Sequence, residues 1–225
     1  MDEARAKRIA RELEGCQVSG WTAYDYINYG KSAVLLRAMR DSKEAALKIF
    51  DPDLVERFGR ETQLSRIKRE TDLIGKTHEN LIEILDGGEC TNTGYLFIAM
   101  TYLPQNNLSQ VINIFPRSQI IQIISQIASA AKFLEDNGMV HRDIKPENIC
   151  ISTDFTSAKL LDLGVLRPVG FSDITDEGEQ KAFVATLRYS PPELLYRDEQ
   201  DTREGWRAVT FDQIGAVLHD LIMQY

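Results

Sequence analysis

Short apolar runs broken by polar turns fill the first half of the chain, and a helical spacing of apolar residues dominates the second. Residues 4–14 read as a short charged helix stopped by Gly15. Tyr24–Ile27, Val34–Met39 and Glu44–Phe50 are predicted strands, separated by the turns 28–33 and 40–43 and closed by Asp51-Pro52-Asp53. Over 54–76, Leu64, Ile67 and Ile74 fall on one face, which predicts a single helix with Gly75 near its end. Leu81–Leu85 and Tyr95–Met100 are predicted strands joined by a turn rich in Gly, Asn and Thr. After Leu103-Pro104 the period changes. Residues 117–137 place Ile120, Ile124, Ile127, Ala131 and Leu134 on one helical face, with Gly138 at the end. Ile149–Ser152 and Ala158–Leu161 predict a hairpin ending at Asp162. A long polar segment runs to Glu193, and a last apolar helix begins near Phe211 and is still running at Tyr225. The expected class is α+β: a helical lead over 1–17, a small β-rich lobe with one main helix over 18–103, and a mainly helical lobe over 104–225.

The 225 residues carry a net charge of −8, which argues against a general nucleic-acid or membrane-surface role. Cys16, Cys90 and Cys150 are far apart and show no metal-type spacing, as expected of reduced thiols in a cytoplasmic protein. The charged N-terminus lacks the apolar centre of a signal peptide, and the isoleucine-rich stretch 119–134 is too polar to span a bilayer. No nucleic-acid or membrane partner is expected.

The candidate chemistry lies in His141–Asn148, read as HRDIKPEN, and in Leu161-Asp162-Leu163-Gly164. Together they supply a base (Asp143), a cation (Lys145) and two oxygen ligands for a metal (Asn148 and Asp162), which is what phosphoryl transfer from a nucleotide requires. Strand alternation puts Lys48 and Ala46 on one face, although a solvent-facing lysine on an edge strand would look the same. Glu70 falls inside the apolar stripe of its helix and is favoured over Glu61. A buried carboxylate needs a partner, for which Lys48 is the candidate, with Arg66, Lys68 and Arg69 as alternatives. By itself the turn Asn28-Tyr29-Gly30-Lys31-Ser32-Ala33 is an ordinary hairpin turn.

HRDxKPEN followed by Asp162 resembles the catalytic loop and metal-binding aspartate of eukaryotic-type serine/threonine protein kinases. The resemblance implies a bilobal fold, ATP and Mg²⁺ as cofactors, and transfer of the γ-phosphoryl group of MgATP to a serine or threonine hydroxyl of a protein substrate. It makes Asp143 the group that orients the acceptor hydroxyl, Lys145 the cation on the transferred phosphoryl group, and Asn148 and Asp162 the metal ligands. Lys48 would hold the α- and β-phosphates and pair with Glu70. Asn28, Gly30 and Ala33 stand where the family has G-x-G-x-x-G. Leu35, Ala46, Met100 and Cys150 would surround the adenine, and the backbone of Thr101 and Leu103 would bond to it. His141 is implied to be a packed structural histidine. Thr186 matches the threonine that accompanies Lys145. Arg142 suggests control by a phosphate on segment 162–193, with Ser172 and Thr175 as candidate sites.

The sequence also departs from that pattern. Leu163 replaces the usual phenylalanine, and Pro191-Pro192-Glu193 stands for Ala-Pro-Glu. The aspartate that braces the catalytic loop in the family aligns with Thr210, with Asp212 two residues on, so either the anchor is missing or the register shifts. The resemblance stops inside a helix. This gives the expectation of a C-terminal lobe cut short, with apolar surface around 218–223 left open to a partner or to self-association. The alternative reading is a catalytically impaired nucleotide-binding or interaction module.

Overall fold

A computed structural model describes residues 1–163, 166–169, 187–196 and 198–224. Ser172, Thr175 and Thr186 lie outside the described residues. The chain divides into two compact units, one formed by Met1–Thr77 with Glu83–Leu103 and the other by His78–Ile82 with Pro104–Tyr225.

The first unit begins with α1 (Glu3–Leu13), whose N-terminus is capped by the Asp2 side chain accepting from the Arg5 N–H. A six-stranded antiparallel sheet follows, built from β1 (Gln17–Val18), β2 (Trp21–Tyr29), β3 (Ala33–Arg40), β4 (Lys43–Phe50), β5 (Ile84–Glu89) and β6 (Leu96–Thr101) in the order β1-β2-β3-β4-β6-β5. Period-two alternation sorts its faces. Val34, Leu36 and Ala38 of β3, Ala45, Leu47 and Ile49 of β4, and Phe97 and Ala99 of β6 are buried with Ala6, Ile9 and Leu13 of α1. The face of α1 formed by Ala6, Ile9 and Leu13 is therefore part of this unit's core. Leu35, Ala46, Lys48 and Met100 are half-buried and lie off that core.

The helix expected over 54–76 is two helices, α2 (Pro52–Phe58) and α3 (Arg60–Thr71). Asp51 caps the first and Pro52 opens it, and Gly59 then breaks the run with a φ of 94°. Ile74 lies beyond the end of α3 and is exposed, so it is not part of the buried stripe, which keeps Ile67 and Glu70.

In the second unit, α4 (Leu108–Val111) starts in a capping box formed by Asn107 and Gln110. The main helix, α5 (Ile120–Asp136), buries Ile120, Ile123, Ile127, Ala130, Ala131 and Leu134. The stripe thus steps through Ile123, and Ile124 sits half-buried at its edge. β7 (Met139–Val140) pairs with β10 (Arg167–Pro168), and the hairpin of β8 (Ile149–Ile151) and β9 (Ala158–Leu160) forms as predicted. His78–Ile82 belongs here and not with the first unit because backbone bonds link Ile82 N–H to Leu160 O and Leu160 N–H to Asn80 O, while Asn80 Nδ2 donates to Ala158 O.

A short helix, α6 (Pro192–Tyr196), precedes the long α7 (Arg203–Met223). α7 starts well before Phe211. Thr202 caps it by accepting from Gly205 N–H, and Trp206 and Val209 are buried. Arg203 and Arg207 conceal this start in the sequence, because their charges are satisfied by Glu135 of α5. The bond from Arg207, against burial and with help from Arg203, pulls the Glu135 carboxyl down to about 2. The inner face of α7 is packed, with Val217 and Leu221 fully buried, whereas Phe211, Ile222 and Met223 are exposed. Among the described residues no helix is long and apolar enough to cross a membrane.

Candidate active site

The HRDIKPEN loop leaves β7 and enters β8 through a single 3₁₀ turn over Pro146–Asn148. His141 is buried and fixed from both ring nitrogens. Nε2–H donates to the Leu161 carbonyl at 2.8 Å, and Nδ1 accepts the Asp143 N–H at 3.3 Å. Burial holds its pKa below the ordinary histidine value, so the ring is neutral and structural.

Asp143 is only 6% exposed. Its Oδ2 accepts from Lys145 Nζ at 2.7 Å and from Asn148 Nδ2 at 3.0 Å, and Asn148 Nδ2 also reaches the Asp143 carbonyl at 2.9 Å. Only a donor suits those two acceptors, so the amide nitrogen of Asn148 faces Asp143 and its side-chain oxygen points elsewhere. Asp162 is exposed, with a left-handed φ of 51°, and Arg142 beside Asp143 has a φ of 67°. Leu163 is 1% exposed.

The loop is braced by neither Thr210 nor Asp212 but by a glutamine of α7. Gln213 of α7, 1% exposed, donates from Nε2 to the Arg142 carbonyl at 2.7 Å and accepts the Ile144 N–H at Oε1, 3.2 Å away. Thr210 instead returns its hydroxyl to Trp206 O in its own helix, and Asp212 is exposed. Neither expected anchor holds the loop. Gln213 lies with Val217 and Leu221 on the buried stripe of the helix, but nothing local shows that its amide reaches a loop 69 positions earlier. Asp220 is likewise unmarked in the sequence, because its partners lie 31 and 32 positions away. It is 2% exposed and accepts from Tyr189 Oη at 2.7 Å and from Arg188 Nη2 at 2.6 Å, tying the stretch before α6 to α7.

Cys150 is buried in β8, and burial pushes its thiol above the ordinary cysteine value. This favours the reading of a small apolar filler over a reactive thiol.

The other candidate residues are in the first unit. Lys48 sits opposite Leu35 on one side and Ile98 on the other, and Ala46 is opposite Met100, so Leu35, Ala46, Lys48 and Met100 share one face of the sheet. Lys48 Nζ lies 5.6 Å from the centroid of the Phe50 ring. Glu70 is 1% exposed in α3, and Glu61 is exposed. Thr101 N–H donates to Glu83 O at 3.0 Å, which leaves its carbonyl as the backbone group to be considered for a nucleobase. Leu103 is half-buried.

Asn28 and Tyr29 are the last residues of β2, where Asn28 Oδ1 accepts from Tyr29 N–H, and in the turn that follows Gly30 N–H donates to Ala33 O at 2.8 Å. Ala33 is buried as the first residue of β3, opposite Phe50, and so belongs to the strand and not to an open loop. A Cβ built at Gly30 would meet only Ala33 O, at 4.0 Å. Nothing inside the fold demands glycine there, and the space is open to an approaching group.

A family model described as "Protein kinase domain" matches residues 22–218. Serine/threonine-protein kinase PknB of Mycobacterium leprae is 29% identical over 199 residues, 84% of this chain and 29% of that protein. Serine/threonine-protein kinase pkn3 of Myxococcus xanthus is 32% identical over 175 residues, 72% of this chain and 30% of that protein. Serine/threonine-protein kinase PknD of Mycobacterium tuberculosis is 30% identical over 165 residues, 71% of this chain and 23% of that protein. The chain spans at most about three tenths of the length of these curated relatives. With its match running from β2 into α7, across both units, the chain belongs to the protein kinase domain family.

Proposed function

We propose that this chain is a serine/threonine protein kinase catalytic domain that transfers the γ-phosphoryl group of MgATP to a serine or threonine hydroxyl of a protein. The observation that carries the reading is the buried Asp143 carboxylate, held at once by Lys145 and Asn148. Asp143 orients the acceptor hydroxyl and takes its proton as the new O–P bond forms and the bond to ADP breaks. Lys145 neutralises charge on the transferred group. The lysine two places after the aspartate, and relatives named as serine/threonine kinases, support a serine or threonine acceptor.

Kinase-family membership implies ATP and a divalent metal in general terms. The donor set suits magnesium. Asn148 has its side-chain oxygen to give and Asp162 a carboxylate, both hard oxygen donors. Two oxygen ligands completed by phosphate oxygens and water are a typical Mg²⁺ arrangement. Bound there, the metal would neutralise the phosphates. Leu35, Ala46 and Met100 offer an apolar face to adenine, Thr101 and Leu103 its backbone partners, and Lys48 with Glu70 a grip on the phosphates.

Three free cysteines support a reducing, cytoplasmic setting. The exposed Phe211, Ile222 and Met223 of α7 support association with a further protein surface.

The test is incorporation of γ-labelled phosphate into a protein acceptor, followed by phosphoamino-acid analysis. Phosphoserine or phosphothreonine is the expected product, and phosphotyrosine alone would refute the acceptor assignment.

A further inference from the structure

The stretch 28–33 carries one glycine, and Gly30 does not adopt a positive φ, so the shape of the turn 30–32 between β2 and β3 comes from what it is tied to. Those ties lead to α1. Asp51, 2% exposed, donates its backbone N–H to Ser32 O at 2.9 Å. Its side chain accepts the Asp53 N–H at 3.1 Å and so caps α2. Both of its oxygens are also gripped by Arg5 of α1, with Nε at 2.9 and 2.8 Å and Nη2 at 2.5 Å. Arg5 Nη1 reaches Asp53 at 2.6 Å. A second tie runs from the Met1 nitrogen to Lys31 O at 2.7 Å.

α1 is itself fixed by Ala6, Ile9 and Leu13, none more than 3% exposed. Burial raises the pKa of Asp51, but the bonds from Arg5 and Asp53 N–H outweigh it and hold the carboxyl below the ordinary aspartate value. The ionised Asp51 is thus built into the junction of turn, sheet and α2. The bidentate fork is a geometry only arginine provides.

We propose that Arg5, acting through Asp51, is a positioning residue for the phosphate-binding turn 30–32 between β2 and β3, which makes α1 part of the nucleotide-binding machinery. This rests on the kinase reading above. α1 does the shaping that glycines would otherwise leave to the ligand.

The test is the affinity of the full chain for a non-hydrolysable ATP analogue with magnesium, measured by calorimetry alongside the melting temperature. Arg5→Ala is expected to weaken binding about tenfold, the scale of one lost charge-assisted interaction. It should raise KM for ATP in the same ratio and leave kcat at saturating ATP unchanged. Arg5→Lys keeps the charge and loses the fork, so an intermediate loss is expected, and it covers the case in which Arg5→Ala does not fold. Leu96→Ala, which hollows the core at the end of β6 away from Met100, should lower the melting temperature and bind as the wild type does. If Arg5→Ala binds as tightly as wild type, or loses no more affinity than Leu96→Ala at equal loss of melting temperature, this inference is overturned and the kinase reading stands. A folded wild type that binds no nucleotide overturns both.

Discussion

Gln213 donates to the Arg142 carbonyl and accepts from the Ile144 N–H, so one buried side chain holds the peptide groups on both sides of Asp143. The task needs a donor and an acceptor together, which an amide supplies and a carboxylate does not. It also explains how Arg142 stays in a left-handed conformation that arginine rarely adopts. Gln213→Glu keeps the shape but sets an oxygen against the Arg142 carbonyl. The cost of an unsatisfied buried group is about 1–3 kcal/mol, which corresponds to a fall in kcat of roughly fivefold to a hundredfold if it all falls on the loop's working geometry. KM for ATP should be unchanged. Steady-state kinetics with ATP varied would check this, and a kcat equal to wild type would show that the brace is dispensable.

His141 gives the loop a pH dependence of known sign. Its folded-state pKa is depressed by burial below the ordinary 6.5. The unfolded chain therefore binds the proton more readily, and the contribution to stability is complete above pH 6.5 and lost as pH falls below it. Protonation at Nδ1 also displaces the Asp143 N–H. Denaturant midpoints measured from pH 8 down to 5 should decline below about 6.5, and a His141→Asn variant should lose that part of the decline.

Asp220 and Tyr189 form the other buried tie to α7. Tyr189→Phe removes the hydroxyl and leaves a buried carboxylate short of one donor, while Arg188 and His219 still reach it. A loss of about 1–3 kcal/mol in unfolding free energy is expected. Combining Tyr189→Phe with Asp220→Asn in a double-mutant cycle should give a coupling well above zero. Additive effects would mean that the pair carries no joint energy.

How far the sequence revealed this molecule depends on what each element answers to. Strands β3, β4 and β6 were legible because alternation records one buried face, and Lys48 and Ala46 fell together on the other side. The catalytic loop was legible as a local run, since Asp143, Lys145 and Asn148 meet within six residues of chain. The break at Gly59 is not legible because α2 buries only Val55, so this short helix leaves no apolar stripe of its own whose end could be seen. The start of α7 was hidden because Arg203 and Arg207 look like solvent residues until Glu135 of α5 is placed against them. Gln213, Asp220 and Arg5 act across 69, 31 and 46 positions of sequence respectively, and a contact of that range leaves no local pattern.

The central claim is that Asp143 performs the chemistry of phosphoryl transfer. Wild type and Asp143→Asn should be compared for transfer of γ-labelled phosphate to a protein acceptor, with binding of an ATP analogue measured on the same preparations. The account predicts equal nucleotide binding and a loss of transfer of about a hundredfold or more in the variant, the range of a lost general base. Equal transfer by both proteins, or no transfer by a folded and nucleotide-bound wild type, would contradict it.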